Sequence, residues 1–145
     1  YLSSAISAIR RLPVTTEDIV SPFYRSTPLI NEVSQPDYLN AVLAVFTRLE
    51  PLELLTHLQR IEQRHDRSRH SARWASRTLD LDILLFGNRV ISSPTLTVPH
   101  PELTYRDFVL YPLSDIAANL EITGIGGLAN LLRQCPNRGL IKLNE

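Results

Sequence analysis

Cysteine occurs once, at Cys135, so neither an intrachain disulfide nor a cysteine-based metal cluster can form. A lone thiol fits a reducing compartment, and the cytoplasm is the expected location. Lysine is almost missing too. Lys142 stands alone, so nearly all cationic character is guanidinium. Methionine is absent, and the chain opens at Tyr1 inside a predicted helix, so further residues are expected before it. No apolar run approaches the length of a membrane span, and no signal-peptide pattern occurs. The formal net charge is zero, so no global field draws in nucleic acid or a membrane. What remains is an ordinary globular composition, 43% apolar and 21% charged, in a chain of 145 residues. That length suits one domain, residues 1–145, with a core of its own.

The charge is local. Residues 60 to 77 carry six arginines (Arg60, Arg64, Arg67, Arg69, Arg73 and Arg77) against Glu62 and Asp66. Arg73–Phe86 then reads RWASRTLDLDILLF, in which Asp80 and Asp82 alternate with Leu79, Leu81 and Ile83. A period of two predicts a strand over Thr78–Phe86 with both carboxylates on one face. Their Cα atoms would lie ~6.6 Å apart, two strand rises. Two like charges on a face that continues into Leu84 and Phe86 favour a cation between them. Carboxylates offer hard oxygen ligands to Mg²⁺, and arginines offer planar forks to phosphate. Together they predict metal-assisted phosphate chemistry, with ATP as the substrate expected first.

Around this stretch the patterns predict an amphipathic helix over Leu2–Leu12 and a strand over Glu17–Arg25 with Pro22 at an edge or bulge. A loop follows over Ser26–Pro36, then a second strand over Tyr38–Leu49. Pro51 opens a helix with Leu54, Leu55, Leu58 and Ile61 inward. The arginine stretch Arg64–Arg77 is predicted to be mostly loop. Gly87-Asn88 marks a turn into a short Arg89–Ile91 strand. Pro94, Pro99 and Pro101 keep the next stretch irregular. Glu102–Ala118 is predicted helical, interrupted by Pro112. Leu128–Gln134 forms a short helix after Gly126-Gly127, and Leu140–Leu143 a last strand. The main order is α-β-β-α-β. One more strand before Tyr1 would make it the ferredoxin-like β-α-β-β-α-β pattern: an α+β sandwich, its antiparallel sheet covered by helices.

Taken singly, the clues have plain alternatives. Asp80 and Asp82 would also suit a solvated strand face. The arginines would suit a basic surface loop or a nucleic-acid patch, but Trp74 is the only aromatic among them, and single-strand binders interleave several. Trp74 would stack on a flat heterocycle or anchor a core. Gln59 and Glu62 share a helix face and read as a surface pair. His100, held between Pro99 and Pro101, would serve a ligand or the fold equally well. Tyr38 and Asn40 share a strand face and would stack on and hydrogen-bond a heterocycle, or simply end a strand.

Taken together, these stretches resemble the 6-hydroxymethyl-7,8-dihydropterin pyrophosphokinase family of folate biosynthesis. Arg73-Trp74-Ala75-Ser76-Arg77-Thr78-Leu79-Asp80-Leu81-Asp82-Ile83-Leu84 fits its signature at every position. Phe23–Leu29, Gln35–Asn40 and Leu96–Pro101 resemble family segments in the same order, so the likeness covers essentially the whole chain.

The resemblance implies that the pterin hydroxymethyl oxygen attacks the β-phosphorus of ATP and that AMP leaves. It implies two Mg²⁺ ions on Asp80 and Asp82, with Arg67 and Arg77 neutralising phosphate charge. Gln59, Glu62, Arg69, Trp74, Arg77, Ile83, His100 and Arg106 match ATP-contacting positions. Ser26, Thr27, Leu29, Tyr38, Asn40, Trp74 and Phe108 match the pterin pocket. The arginine loop is expected to close over ATP. The implied partners are these two small molecules, not nucleic acid or membrane, for a monomer or a unit fused to neighbouring folate enzymes. Two departures stand out: the family's N-terminal strand with its Gly-Ser-Asn turn is not present, and Asp66 stands where that loop often has glycine. Palm-type nucleotidyltransferases and cyclases also place paired aspartates on a ferredoxin-like sheet, and RNA-binding modules share that fold. An inactive relative is the third alternative.

Overall fold

The computed structural model describes residues 2–26, 38–68 and 79–143. Helix α1 spans Leu2–Arg10, two residues shorter than the periodicity predicts, with Ala5 and Ile9 buried. The predicted Glu17–Arg25 strand is two: β1, Thr15–Val20, and β2, Tyr24–Ser26. The predicted Tyr38–Leu49 strand is also two: β3, Tyr38–Asn40, and β4, Leu43–Thr47. Both breaks occur at one corner. Buried Ser21 donates its N–H to the Val42 carbonyl and accepts the Val42 N–H on Oγ, each at 2.9 Å. Pro22 has no N–H to continue a ladder, so the chain changes sheets there. β1 pairs with β4 antiparallel, around a bulge between Thr16 and Ile19. β2 lies between β3 and a C-terminal β9, Ile141–Lys142, which bears out the predicted last strand.

Helix α2 runs from Pro51 to Ser68. Glu53 reaches back to accept the Glu50 N–H at 2.8 Å, and Leu54 donates to the Glu50 carbonyl at 2.9 Å. This is the half of a capping box that an N3 glutamate supplies. Leu54, Leu58 and Ile61 are buried as predicted, whereas Leu55 is only half-buried and Pro51 joins the buried stripe. The helix continues past Arg64, where a loop is predicted, because arginine is a good helix former even without an apolar stripe.

Residues 79–86, predicted as a strand, belong to no ladder. The alternation itself is present: Leu79 and Ile83 are buried, Asp80 and Asp82 exposed. Alternation fixes the direction of side chains, whereas a ladder also needs a neighbouring strand in register, and no described strand pairs with this segment. Gly87, at φ 58°, makes the turn predicted for Gly87-Asn88. The strand predicted at Arg89–Ile91 is displaced to β5, Ile91–Ser92, paired with β6, Thr97–Val98. A 3-10 turn, Leu103–Tyr105, precedes α3, Asp107–Ile116. The predicted Glu102–Ala118 helix therefore breaks at Arg106 and not at Pro112, which sits fully buried inside α3. A hairpin of β7, Glu121–Ile122, and β8, Gly126–Gly127, leads into α4, Leu128–Arg133.

The class is α+β, with antiparallel pairing throughout the described strands. Two cores form. The first joins α1, α2, Leu79, Ile83, Leu96 and Val98. The second joins Val42, Leu103, α3, Ile122, Leu128 and Cys135. Residues 79–86 bridge them: Leu81 and Phe86 pack on the first, Leu84 and Leu85 on the second. No helix among the described residues is long and apolar enough to cross a membrane.

Candidate active site

A cleft of about 1740 Å³ lies between these elements. Ser26, Tyr38 and Asn40 line it from β2 and β3; Asp80, Asp82 and Ile83 from the carboxylate segment; His100, Arg106 and Phe108 from the chain leading into α3. Nine residues singled out in the sequence thus meet at one cavity.

The β2–β3 wall is held by its ladder. Ser26 pairs with Tyr38 and Tyr24 with Asn40. The Asn40 amide donates to Ser26 Oγ at 3.0 Å, which fixes the amide's orientation and leaves its carbonyl oxygen as an acceptor. Behind this wall, the Tyr24 hydroxyl donates to Asp115 of α3 in a short hydrogen bond. Lys142 Nζ lies 3.2 Å from the same carboxylate and 5.8 Å over the Tyr24 ring. Burial, and then the hydrogen bond and charge of Asp115, push the Tyr24 phenol well above the ordinary tyrosine range. This cluster tethers β2 to α3 and β9. Its partners lie far apart in sequence, so no local pattern announces it.

The carboxylate wall is held differently. The Leu81 N–H, between the two aspartates, donates to Glu62 Oε2 at 2.7 Å. Three residues on, the Leu84 carbonyl accepts the His100 N–H at 2.9 Å. His100 Nδ1 accepts the Glu102 N–H at 3.1 Å, so the neutral ring carries its proton on Nε2. Arg106 pairs with Glu102 and stands 5.2 Å over the Phe108 ring, tying the expected ATP side to the expected pterin side.

Asp80 and Asp82 share the exposed side of their segment, as the alternation predicts. Exposure to water eases their mutual repulsion. Among the described residues, no third acid, histidine or cysteine joins them to complete a metal cluster. Two carboxylates suit Mg²⁺, which is commonly held through one or two carboxylates with phosphate and water completing its shell.

The remaining expected site residues divide into two sets. Gln59 is exposed, and neither it nor Glu62 lines the cleft. Thr27, Leu29, Arg69, Trp74 and Arg77 lie outside the described residues, as does the arginine loop beyond Ser68 that is expected to close over ATP. Arg67 belongs to the last turn of α2, but its side chain is also outside them. Cys135 is buried, and burial pushes its thiol pKa up, which suits a packing residue rather than a nucleophile.

The chain has close relatives of known name. The family model described as 7,8-dihydro-6-hydroxymethylpterin-pyrophosphokinase (HPPK) matches residues 1–118. A Haemophilus influenzae protein named 2-amino-4-hydroxy-6-hydroxymethyldihydropteridine pyrophosphokinase is 45% identical over 143 residues, 99% of this chain and 88% of that protein. A Pseudomonas aeruginosa protein of the same name is 46% identical over 142 residues, 98% of this chain and 86% of that protein. The Bifunctional protein FolKE of Lactococcus lactis subsp. cremoris is 40% identical over 119 residues, 82% of this chain and 34% of that longer protein. With the matching signature and this extent of likeness, the chain belongs to the 7,8-dihydro-6-hydroxymethylpterin-pyrophosphokinase family.

Proposed function

We propose that residues 1–145 act as one pyrophosphokinase domain. It transfers the pyrophosphoryl group of ATP to the hydroxymethyl group of 6-hydroxymethyl-7,8-dihydropterin, a step towards tetrahydrofolate. The products are AMP and the pterin diphosphate. The observation that carries this reading is the cleft itself, which has an acid wall of Asp80 and Asp82 and a heterocycle wall of Ser26, Tyr38, Asn40 and Phe108. A nucleotide polyphosphate on the first and a pterin on the second would meet between them.

The hydroxymethyl oxygen gives a lone pair to the β-phosphorus. The bond from that phosphorus to the α,β-bridging oxygen breaks, AMP keeps the bridging oxygen and its electrons, and the hydroxyl proton passes to solvent. No residue needs to act as general base. The reaction rests on positioning and charge stabilisation, as in other phosphoryl transfers. Two Mg²⁺ ions held through Asp80 and Asp82 and the phosphates would neutralise charge and orient the triphosphate. His100 offers its Nε2–H to a phosphate oxygen, and Arg106 offers its guanidinium beside it. Arg67 and Arg77 complete the set by their match to the family's loop and signature arginines. Tyr38 and Phe108 stack on the pterin, and Asn40 reads its edge with the carbonyl that Ser26 leaves available.

Incubation with MgATP and the pterin tests this directly. AMP and pterin diphosphate are expected in equal amounts from the parent, with Asp80→Ala and Asp82→Ala forming neither at a comparable rate. ADP with a pterin monophosphate, or unimpaired variants, would overturn it.

A further inference from the structure

Residues 79–86 pose a mechanical question. A pair of carboxylates that holds a cation has to keep its spacing and aim, yet no described strand pairs with this backbone. Side-chain burial fixes the opposite face through Leu79 and Ile83, each 8% exposed. Among the described contacts, the one that acts directly on the peptide plane between the two aspartates is the hydrogen bond of the Leu81 N–H. Its partner is Glu62 Oε2, at 2.7 Å. The reach follows from α2. Glu62 lies four residues after buried Leu58 and next to buried Ile61, so it stands at the border of the inward stripe. From there a carboxylate spans to the extended segment without entering the cleft.

We propose that Glu62 is a positioning residue for the Asp80–Asp82 pair. It acts by holding the amide between them and does not contact ATP. This rests on the reading of Asp80 and Asp82 as cation-binding carboxylates. A charge-assisted bond to one amide fixes the plane that both aspartates flank, so their aim is set together. Partners standing one step behind a metal's ligands typically change its affinity 10- to 100-fold when removed. The acceptor oxygen and its reach matter here, rather than the negative charge alone.

Three variants separate these properties. Glu62→Gln keeps an acceptor oxygen at the same reach and removes the charge. Glu62→Asp keeps the charge and draws the oxygen back by one methylene. Glu62→Ala removes both. Two readouts apply: amide exchange at Leu81, and Mn²⁺ affinity by electron paramagnetic resonance with α,β-methylene ATP present. Glu62→Asp and Glu62→Ala are expected to speed Leu81 exchange and to weaken Mn²⁺ binding, each about tenfold or more. Glu62→Gln is expected to stay within about threefold of the parent on both, the spread tolerated for one retained hydrogen bond. If Glu62→Ala proves unfolded, Glu62→Asp decides alone. Parent-like Mn²⁺ binding by Glu62→Asp, or a fall in Glu62→Gln as deep as that in Glu62→Asp, would overturn the proposal. Weaker binding of the ATP analogue with Leu81 still protected would overturn it in favour of direct ATP contact. A folded parent that binds neither Mn²⁺ nor the analogue would instead count against the proposed function.

Discussion

The two walls of the cleft are built by different means. On the heterocycle wall, backbone pairing places Tyr38 and Asn40 opposite Ser26 and Tyr24, and a part-buried Tyr24–Asp115 bond fixes that sheet to α3. On the acid wall no described ladder exists. Among the described residues, the segment around Asp80 and Asp82 is held by the buried Leu79 and Ile83 and by hydrogen bonds from the Leu81 N–H to Glu62 and from the His100 N–H to the Leu84 carbonyl. A ladder spreads its restraint over many bonds, so losing one contact moves little. The acid wall's described restraints are single contacts, so its geometry answers to individual residues some way off. Stability and activity should therefore part company in different ways on the two walls.

The largest effect that would break this comparison lies at the acids. Asp80→Ala and Asp82→Ala should each lower kcat/KM by on the order of 10²–10³-fold, the loss typical of a preorganised electrostatic group. Both residues are exposed, so melting temperatures should stay close to the parent's. Steady-state rates beside a thermal melt read both.

Two core truncations sharpen it. Leu79→Ala in the first core and Leu110→Ala in the second remove fully or nearly fully buried side chains. Each should cost about 2–5 kcal/mol of stability in denaturant unfolding. Leu79 also anchors the acid wall beside Asp80, so its variant should require more Mg²⁺ for half-maximal rate, measured well below its melting point. Leu110→Ala should leave that requirement unchanged.

On the other wall, Asn40→Ala should raise the KM for the pterin about tenfold, roughly the loss of one good hydrogen bond to a bound group. The KM for ATP should hold steady. Equal shifts in both would mean that the walls do not divide the substrates.

Tyr24→Phe should have the smallest effect, a loss of about 1 kcal/mol in stability. It also carries a pH signature. The phenol is raised above its unfolded value of about 10, so the folded state holds this proton more tightly. The stabilisation is complete below that pH and is lost as pH climbs through the window above it. Unfolding followed from pH 9 to 11 should show the parent weakening more steeply than Tyr24→Phe.

How much of this was legible in the sequence depended on range. Helix α2 could be read from Pro51 and its apolar stripe because helix signals are local. Its extension through Ser68 is harder to read, because residues 64–68 carry no apolar stripe and helix propensity alone is a weak signal. The alternation around Asp80 predicted which residues face inward, and the structure agrees. The ladder could not be read, since it depends on what lies alongside. The Tyr24–Asp115 bond joins residues 91 positions apart, and Glu62 meets Leu81 across 19. Neither leaves a mark on its own neighbourhood. The family resemblance assigns Asp80, Asp82, His100 and Phe108 to the site, and all four line one cleft. Its assignment of Gln59 and Glu62 to ATP contact has no counterpart in the residues that line that cleft.

The central claim is that the attack falls on the β-phosphorus, and isotope position tests it most directly. ATP carrying ¹⁸O in the α,β bridge would be turned over with the pterin and the products read by mass spectrometry. The account predicts that the label stays with AMP, because the bond between the β-phosphorus and the bridging oxygen is the one broken. Label released in pyrophosphate, with AMP joined to the pterin, would contradict it and place the chemistry at the α-phosphorus.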